Sequence, residues 1–150
     1  MATLLVKLLT PYAQLPTVAT PGEDLGFDLY ASEDITIEPN KPTKVKTGIA
    51  LTYKSRLPWR KYGLILKERS GLASKGLSLG GGVIDAGYTG EVQVIVIDQC
   101  LDYPLGYVLR AGTKIAQAVP ARVRTGKVKH VDELPKGNRG SRGFGSSGAR

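Results

Sequence analysis

Short stretches of alternating apolar and polar residues recur along the chain, a pattern typical of half-buried β-strands. In Gly26–Ala31 the alternation puts Phe27, Leu29 and Ala31 on one face, and Asp28 and Tyr30 on the other. The predicted strands are Leu4–Leu9, Gly26–Ala31, Ile35–Ile37, Val45–Tyr53, Tyr62–Leu66, Glu91–Asp98, Gly106–Leu109 and Lys114–Val119, with an extended segment at Leu15–Thr20. Many short strands separated by turn residues predict a single all-β domain, either a sandwich or a barrel.

Two further local patterns predict a helix and a hairpin. Ser70–Gly76 fits one or two helical turns, with Ser70 as the N-cap and Gly76 as the C-cap. Val123 and Val128 flank a Thr-Gly pair in a predicted last hairpin.

Length and composition limit the classes of chemistry. The chain has 150 residues and one cysteine, Cys100, so an internal disulfide framework and a thiolate metal cluster are excluded. The single histidine, His130, also argues against a His-rich zinc site. No apolar run approaches the roughly 20 residues that span a bilayer, and the start lacks the features of a signal peptide. We therefore expect no membrane partner and a reducing, cytoplasmic location, or the interior of a host cell if the source is viral.

The charge points to acidic partners. The net charge is +8, with most of the excess late in the chain. The partner is then a polyanion or a small phosphorylated molecule, although a merely solubilising surface remains an alternative.

The stretch Gly80–Glu91 combines backbone freedom with chemistry. Three consecutive glycines are followed by a lone carboxylate, Asp85, and an aromatic residue, Tyr88. Consecutive glycines let a backbone approach a ligand closely. A Gly-rich hairpin turn is the alternative interpretation.

The last segment, Lys136–Arg150, has a single large apolar residue, Phe144. By composition alone it is a disordered or RNA-binding tail. It also fits a lid over a phosphorylated ligand, with the Arg139 guanidinium on phosphate and Phe144 stacked on a base.

Five motifs in order resemble those of the trimeric all-β dUTPase family across essentially the whole chain. They are Leu25–Ser32, Arg69–Ala73, Gly80–Glu91, Gly112–Gln117 and Arg139–Gly148. The resemblance implies a distorted β-barrel or jelly roll over residues 1–135 and a flexible lid over residues 136–150. It also implies hydrolysis of dUTP to dUMP and pyrophosphate, which supplies dUMP for dTTP synthesis and keeps uracil out of DNA.

The resemblance also implies a role for each site residue. Asp85 would activate the water that attacks the α-phosphorus, and Tyr88 would stack under the deoxyribose. Asp28 would contact Mg²⁺ through water, with the metal held mainly by the substrate phosphates. The implied substrate-binding residues are Arg69, Ser70, Gly71, Gly81, Val83, Ile84, Tyr88, Gln93, Gln117, Arg139, Phe144, Gly145, Ser146 and Ser147. The implied assembly is a homotrimer with sites shared between subunits, and no nucleic-acid partner is expected.

Three rivals remain open. A dCTP deaminase or its bifunctional relative shares the fold and a similar Arg-Ser and Ile-Asp core, and a regulatory relative would keep the fold without turnover. An RNA-binding protein would rest on charge alone. The chain also departs from the usual family pattern at Leu25, Gly87, Thr89 and Arg142.

Overall fold

The computed structural model describes residues 2–100 and 105–137 and is almost entirely β-structure. Within these residues, ten strands and one short helix follow one another. They are β1 (Thr3–Leu8), β2 (Phe27–Tyr30), β3 (Ile35–Ile37), β4 (Thr43–Lys54), β5 (Tyr62–Lys67), α1 (Ser70–Ala73), β6 (Leu77–Gly80), β7 (Val83–Ile84), β8 (Glu91–Asp98), β9 (Tyr107–Leu109) and β10 (Lys114–Arg122). The all-β prediction is confirmed.

The strands form two four-stranded sheets and a two-stranded one. The sheet orders are β1-β4-β8-β6, β2-β10-β5-β7 and β3-β9, and every strand pair is antiparallel. Apolar residues from all three sheets meet in one core. Its members include Leu29, Ile37, Val45, Ile49, Leu64, Leu66, Val92, Val94, Val96, Leu109, Ile115 and Ala118. The core is therefore the shared interior of the sheets, as expected for a sandwich or barrel.

Strand β4 contains a β-bulge at Gly48, which interrupts its regular pairing with β8. Val45, Thr47, Ile49 and Leu51 are all buried, as their predicted common face requires. The register with β8 shifts between Lys46 and Ala50, around Gly48. Gly48 has φ +66°, and a Cβ atom there would lie 2.9 Å from the Cβ of Ala13, so the bulge requires glycine.

Two local predictions are wrong. The N-cap is Arg69, Ser70 is already helical, and no side chain caps the helix. Gly76 has φ +78° but stands two residues beyond the C-cap, Ser74. Helix α1 has only four residues, so it ends at Ala73, before the glycine that the sequence pattern predicted as its C-cap.

The predicted last hairpin is also absent. Residues 123–137 contain no strand and are exposed throughout. Among the described residues its backbone bonds to the Lys61 carbonyl oxygen through the Val123 N–H, and an isolated two-stranded hairpin is only marginally stable in water. Leu15–Thr20 likewise makes only one isolated bridge, Thr17 with Asp28.

Candidate active site

The turn that contains Asp85 is fixed by close backbone contact between β5 and β7. Leu64 pairs with Ile84, and the backbone N–H of Leu66 donates to the carbonyl oxygen of Gly82 over 2.6 Å. A Cβ atom at Gly63 would lie 2.6 Å from the Ile84 carbonyl oxygen, and one at Gly82 would lie 2.7 Å from that of Leu66. The glycines are thus needed for two backbones to approach each other.

Asp85 opens a tight turn beside a cavity. The backbone N–H of Tyr88 donates to the Asp85 carbonyl oxygen over 3.0 Å, and the Asp85 side chain is exposed. Gly81, just upstream of β7, has φ +58°. A cavity of about 200 Å³ is lined by Val83, Ile84, Asp85, Tyr88, Glu91 and Gln93. Five of these six were predicted site residues, so the structure brings them together.

Tyr88 is held in place from two sides. Its hydroxyl donates to the carbonyl oxygen of Glu91 over 2.8 Å. Its ring lies against Gly90, where a Cβ atom would be 2.6 Å from the Tyr88 hydroxyl oxygen. The ring is 44% exposed and lines the cavity, so it is both fixed and accessible.

Glu91 is a site residue that the sequence-based prediction did not include. Its Oε1 accepts from the backbone N–H of Gly48 over 2.9 Å, and its Oε2 accepts from Nε2 of Gln93 over 3.2 Å. The bulge in β4 thereby supports the side chain that orients Gln93. The available signal was the position of Glu91 at the end of the glycine-rich motif.

A second cluster lies at the other end of β5 and is built on Asp28. The Nη1 atom of Arg69 donates to Oδ1 of Asp28, and the Lys114 ammonium lies 2.9 Å from Oδ2. Asp28 is buried, although the alternation put it on the face opposite Leu29. Both of its oxygens face a cation, so this carboxylate fixes Arg69 and Lys114 together. Lys114 is the second residue that the sequence-based prediction missed.

Three more predicted phosphate-binding residues border this cluster. Gln117 of β10 is in register with Asp28 on one side and with Lys67 on the other. Ser70 and Gly71 begin α1, and both are exposed. A Cβ atom at Gly71 would meet nothing within 4 Å, so the space in front of it is open.

Glu68 fixes the corner between β5 and α1. Its own backbone N–H and that of Leu79 lower the pKa of its carboxyl, and Leu79 donates to Oε1 over 3.3 Å. Arg69 therefore directly follows a residue whose side chain is hydrogen-bonded to strand β6.

The two clusters are far apart within one chain. Asp85 follows Ile84, which contacts Gly63 near the start of β5, whereas Arg69 follows its end. Gly63 and Arg69 stand six positions apart, about 20 Å at about 3.3 Å per strand residue. One chain thus presents the acid and the arginine at opposite ends of a strand.

A model of the dUTPase family matches residues 11–148. The chain belongs to the dUTPase family. Curated dUTPase-family relatives agree with this. The deoxyuridine 5'-triphosphate nucleotidohydrolase of Rhodococcus erythropolis is 44% identical over 146 residues, covering 95% of this chain and 84% of that protein. The vaccinia virus enzyme of the same name is 38% identical over 143 residues, covering 94% and 90%.

Solved structures of the dUTPase family share the fold. A mutant dUTPase of Staphylococcus bacteriophage 80alpha with dUpNHpp has a TM-score of 0.84 at 31% identity, covering 98% of this chain and 99% of that one. The phage phi11 dUTPase, whose mutant structure concerns the coordination of a structural Mg(II) ion, has a TM-score of 0.74 at 27% identity, covering 88% and 98%.

The remaining predicted dUTPase residues lie outside the described part of the chain. These are Arg139, Phe144, Gly145, Ser146 and Ser147. The domain boundary at residues 135/136 stays a prediction for the same reason, since only the first two residues of the tail are described.

No helix among residues 2–100 and 105–137 is long and apolar enough to cross a membrane. These residues also contain no group of three or more His, Cys, Asp or Glu side chains suited to a metal ion.

Proposed function

We propose that this chain hydrolyses dUTP to dUMP and pyrophosphate, with Asp85 as the general base. The observation that supports it most directly is the cavity where Asp85, Tyr88 and Gln93 meet beside the backbone of Val83 and Ile84. A carboxylate at the rim of a nucleoside-sized cavity is placed to hold a water molecule against a phosphorus atom. It takes the proton as the water oxygen attacks and the bond from the α-phosphorus to the bridging oxygen breaks.

The nucleoside end of the substrate would be recognised by rigid groups. The backbone of Gly81, Val83 and Ile84 offers donors and acceptors to the uracil edge and the 3′-hydroxyl. An unmatched buried polar group costs about 1–3 kcal/mol, so cytosine, with its donor and acceptor exchanged, is rejected. Tyr88, fixed by Gly90 and Glu91, would lie under the deoxyribose and leave no room for a 2′-hydroxyl.

The phosphates would be bound by the Asp28 cluster. Arg69 supplies a guanidinium already oriented by Asp28, and Ser70, Gly71 and Gln117 border the same open space. Fixed donors of this kind stabilise charge that develops on phosphate oxygens in the transition state.

Magnesium would enter with the triphosphate. Both Asp28 oxygens face cations, so the donors present suit an ion held by substrate phosphates better than one held by protein carboxylates. Bound there, Mg²⁺ would offset phosphate charge. A water-mediated contact to Asp28 would be made beside Lys114.

The separation of the two clusters supports a homotrimer with shared sites. If the Asp85 cavity and the Arg69 cluster serve one substrate, they must come from different chains, since they lie about 20 Å apart within one. Exposed apolar residues provide surface for such an assembly. They include Leu5 and Leu8 of edge strand β1, and Val128, Val131 and Leu134 of the segment after β10.

The tail, residues 136–150, is proposed as the lid. Arg139 would bind the γ-phosphate, Phe144 would stack on uracil, and Gly145, Ser146 and Ser147 would close over the substrate. Closure would exclude bulk water from the reaction. Because dUTP is an intracellular nucleotide, the proposed activity implies a cytoplasmic or host-cell location.

The test is pyrophosphate release from dUTP, dCTP, dTTP and UTP in parallel, with Mg²⁺ and with a chelator. We expect fast release from dUTP alone, lost with the chelator. Ammonia release from dCTP would instead identify a deaminase. Binding of dUTP without turnover would identify a regulatory relative and overturn the role of Asp85.

A further inference from the structure

A strongly cationic loop joins β4 to β5. This segment, residues 54–62, is the Trp59 loop. It contains four cationic residues, Lys54, Arg56, Arg60 and Lys61, and no acidic one. Trp59, the only tryptophan of the chain, is 72% exposed at its tip. An exposed indole among cations is unusual on a surface that only needs to be soluble.

Strand pairing adds two more cations to the Trp59 loop. Arg122 of β10 is in register with Tyr62, and the backbone N–H of Val123 donates to the Lys61 carbonyl oxygen over 3.0 Å, which brings Arg124 close. The two stretches that meet here, residues 53–67 and 103–131, contain no Asp or Glu. Among the described residues, none of the six cations forms a salt bridge.

The Trp59 loop has a defined shape and a cavity. The backbone N–H of Arg60 donates to the Leu57 carbonyl oxygen over 2.9 Å, and that of Leu57 donates to Oγ of Ser55 over 3.2 Å. The Tyr62 ring at its base packs on Tyr53, with ring centroids 5.3 Å apart. A cavity of about 280 Å³ is lined in part by Pro58, Tyr62, Lys54, Arg60 and Lys61.

We propose that the Trp59 loop, with Arg122 and Arg124, is a binding surface for single-stranded nucleic acid. Cations along a groove meet successive phosphates, and an exposed indole stacks on a base, which together are the two elements of single-strand binding. A duplex would meet the cations but would not offer an unstacked base to Trp59. The proposal contradicts the sequence-based expectation of no nucleic-acid partner, and it does not depend on the hydrolase activity.

The single tryptophan makes the test specific to this loop. The full-length protein is titrated with a short oligothymidylate while Trp59 fluorescence is followed over a series of salt concentrations. We expect saturable quenching and an affinity that falls as salt rises. Trp59→Ala, followed with a fluorescently labelled oligonucleotide, should bind about tenfold or more weakly, because a stacking contact is lost.

Paired charge variants test whether binding depends on this surface or only on the overall positive charge of the protein. Arg60→Gln/Lys61→Gln should lower the slope of log K against log salt by about 1.4, the value for two lost phosphate contacts on a single strand. The matched control, Lys41→Gln/Lys44→Gln, removes the same charge from exposed residues near the other end of β4. Lys44 is ten residues from Lys54, about 33 Å along the strand. The control should leave the slope unchanged.

Five outcomes would overturn the proposal. Four of them are no quenching at low salt, equal quenching by dUpNHpp or tripolyphosphate at equal phosphate concentration, equal loss in the two paired variants, and tight duplex binding without quenching. Fluorescence that depends on protein concentration without oligonucleotide would also overturn it, since a second copy of the chain would then cover Trp59.

Discussion

Arg69 and Asp28, 41 residues apart in sequence, form an ion pair, and Lys114 faces the second oxygen of the same carboxylate. Two residues that the family resemblance assigned to different ligands are therefore one unit. If Arg69 binds phosphate as proposed, the carboxylate already restrains it in the free protein, which reduces the side-chain freedom that would be lost on binding.

Removing the Asp28 carboxylate should affect stability and binding together. Asp28→Asn leaves two neighbouring cations without their partner, so we expect the free energy of unfolding to fall by about 2 kcal/mol. The KM for dUTP should rise because Arg69 is no longer oriented. Urea denaturation and steady-state kinetics measure the two effects. Unchanged values of both would show that the pair is not a unit in solution.

Removing the proposed base should affect the rate alone. Asp85→Asn keeps the size and polarity of an exposed side chain, so we expect dUpNHpp to bind within about twofold of the original affinity while kcat falls about 10²- to 10⁴-fold. Isothermal titration and single-turnover kinetics separate binding from chemistry. A variant with unimpaired kcat would contradict the role of Asp85.

Gly71 distinguishes a ligand contact from a folding requirement. A Cβ atom there meets nothing within 4 Å and φ is not positive, so Gly71→Ala should raise the free energy of unfolding by up to about 1 kcal/mol through helix propensity. We expect the same change to raise the KM for dUTP, because the methyl group fills the space proposed for phosphate. Gly63→Ala is the matched control, since it should destabilise the fold outright. A Gly71→Ala enzyme with unchanged KM would remove Gly71 from the site.

Asp98 lies fully buried at the end of β8. Its Oδ1 accepts from the backbone N–H of Cys100 over 2.9 Å, whereas Oδ2 has no hydrogen-bond partner among the described residues. Asp98→Asn keeps an oxygen that can accept from Cys100, whereas Asp98→Ala leaves that buried N–H without an acceptor, which costs about 1–3 kcal/mol. We therefore expect the Ala variant to have the lower free energy of unfolding of the two, as measured by urea denaturation. Equal stability of the two variants would show that the bond to Cys100 contributes nothing.

Asp34 links the loop after β2 to the turn after β9 in a pH-dependent way. The backbone N–H of Ala111 and then the Arg110 guanidinium lower the pKa of its carboxyl. A lowered folded-state pKa adds stability above the ordinary carboxyl pKa of about 3.9, and this stability is lost as the pH falls through the folded value. Asp34→Asn should therefore lower Tm near neutral pH and have no such effect at about pH 2. Thermal melts across that range measure it, with Glu23→Gln as a charge control. A Tm difference that persists in acid would indicate a structural defect.

The sequence predicted most strands because burial on one face leaves a period-two pattern, as in Val45–Tyr53. It did not predict β6 and β7, since Leu77–Gly80 and Val83–Ile84 are too short and glycine-rich to show alternation. It could not predict that Asp28 is buried against Arg69, because that pairing depends on how β2, β10 and β5 come into register. The predicted hairpin at Val123–Val128 is absent because its exposed valines bury no apolar face that would stabilise two short strands.

The site residues show the same limit. The family resemblance assigned Asp85, Tyr88 and Gln93 to one substrate, and the three side chains line one cavity. The structure identifies Glu91 as a site residue only through its hydrogen bonds to Gly48 and Gln93. It identifies Lys114 only through its ion pair with Asp28. Side chains that support other side chains leave little trace in a single sequence.

The distance between Asp85 and Arg69 along β5 has a genetic consequence. In a shared-site trimer, a chain lacking Asp85 and a chain lacking Arg69 would each be inactive by itself, yet each would supply what the other has lost. Co-refolding Asp85→Asn with Arg69→Ala in equal amounts should restore about one quarter of the sites. Two defective alleles in one cell would then complement each other, whereas two changes within the same cluster would not.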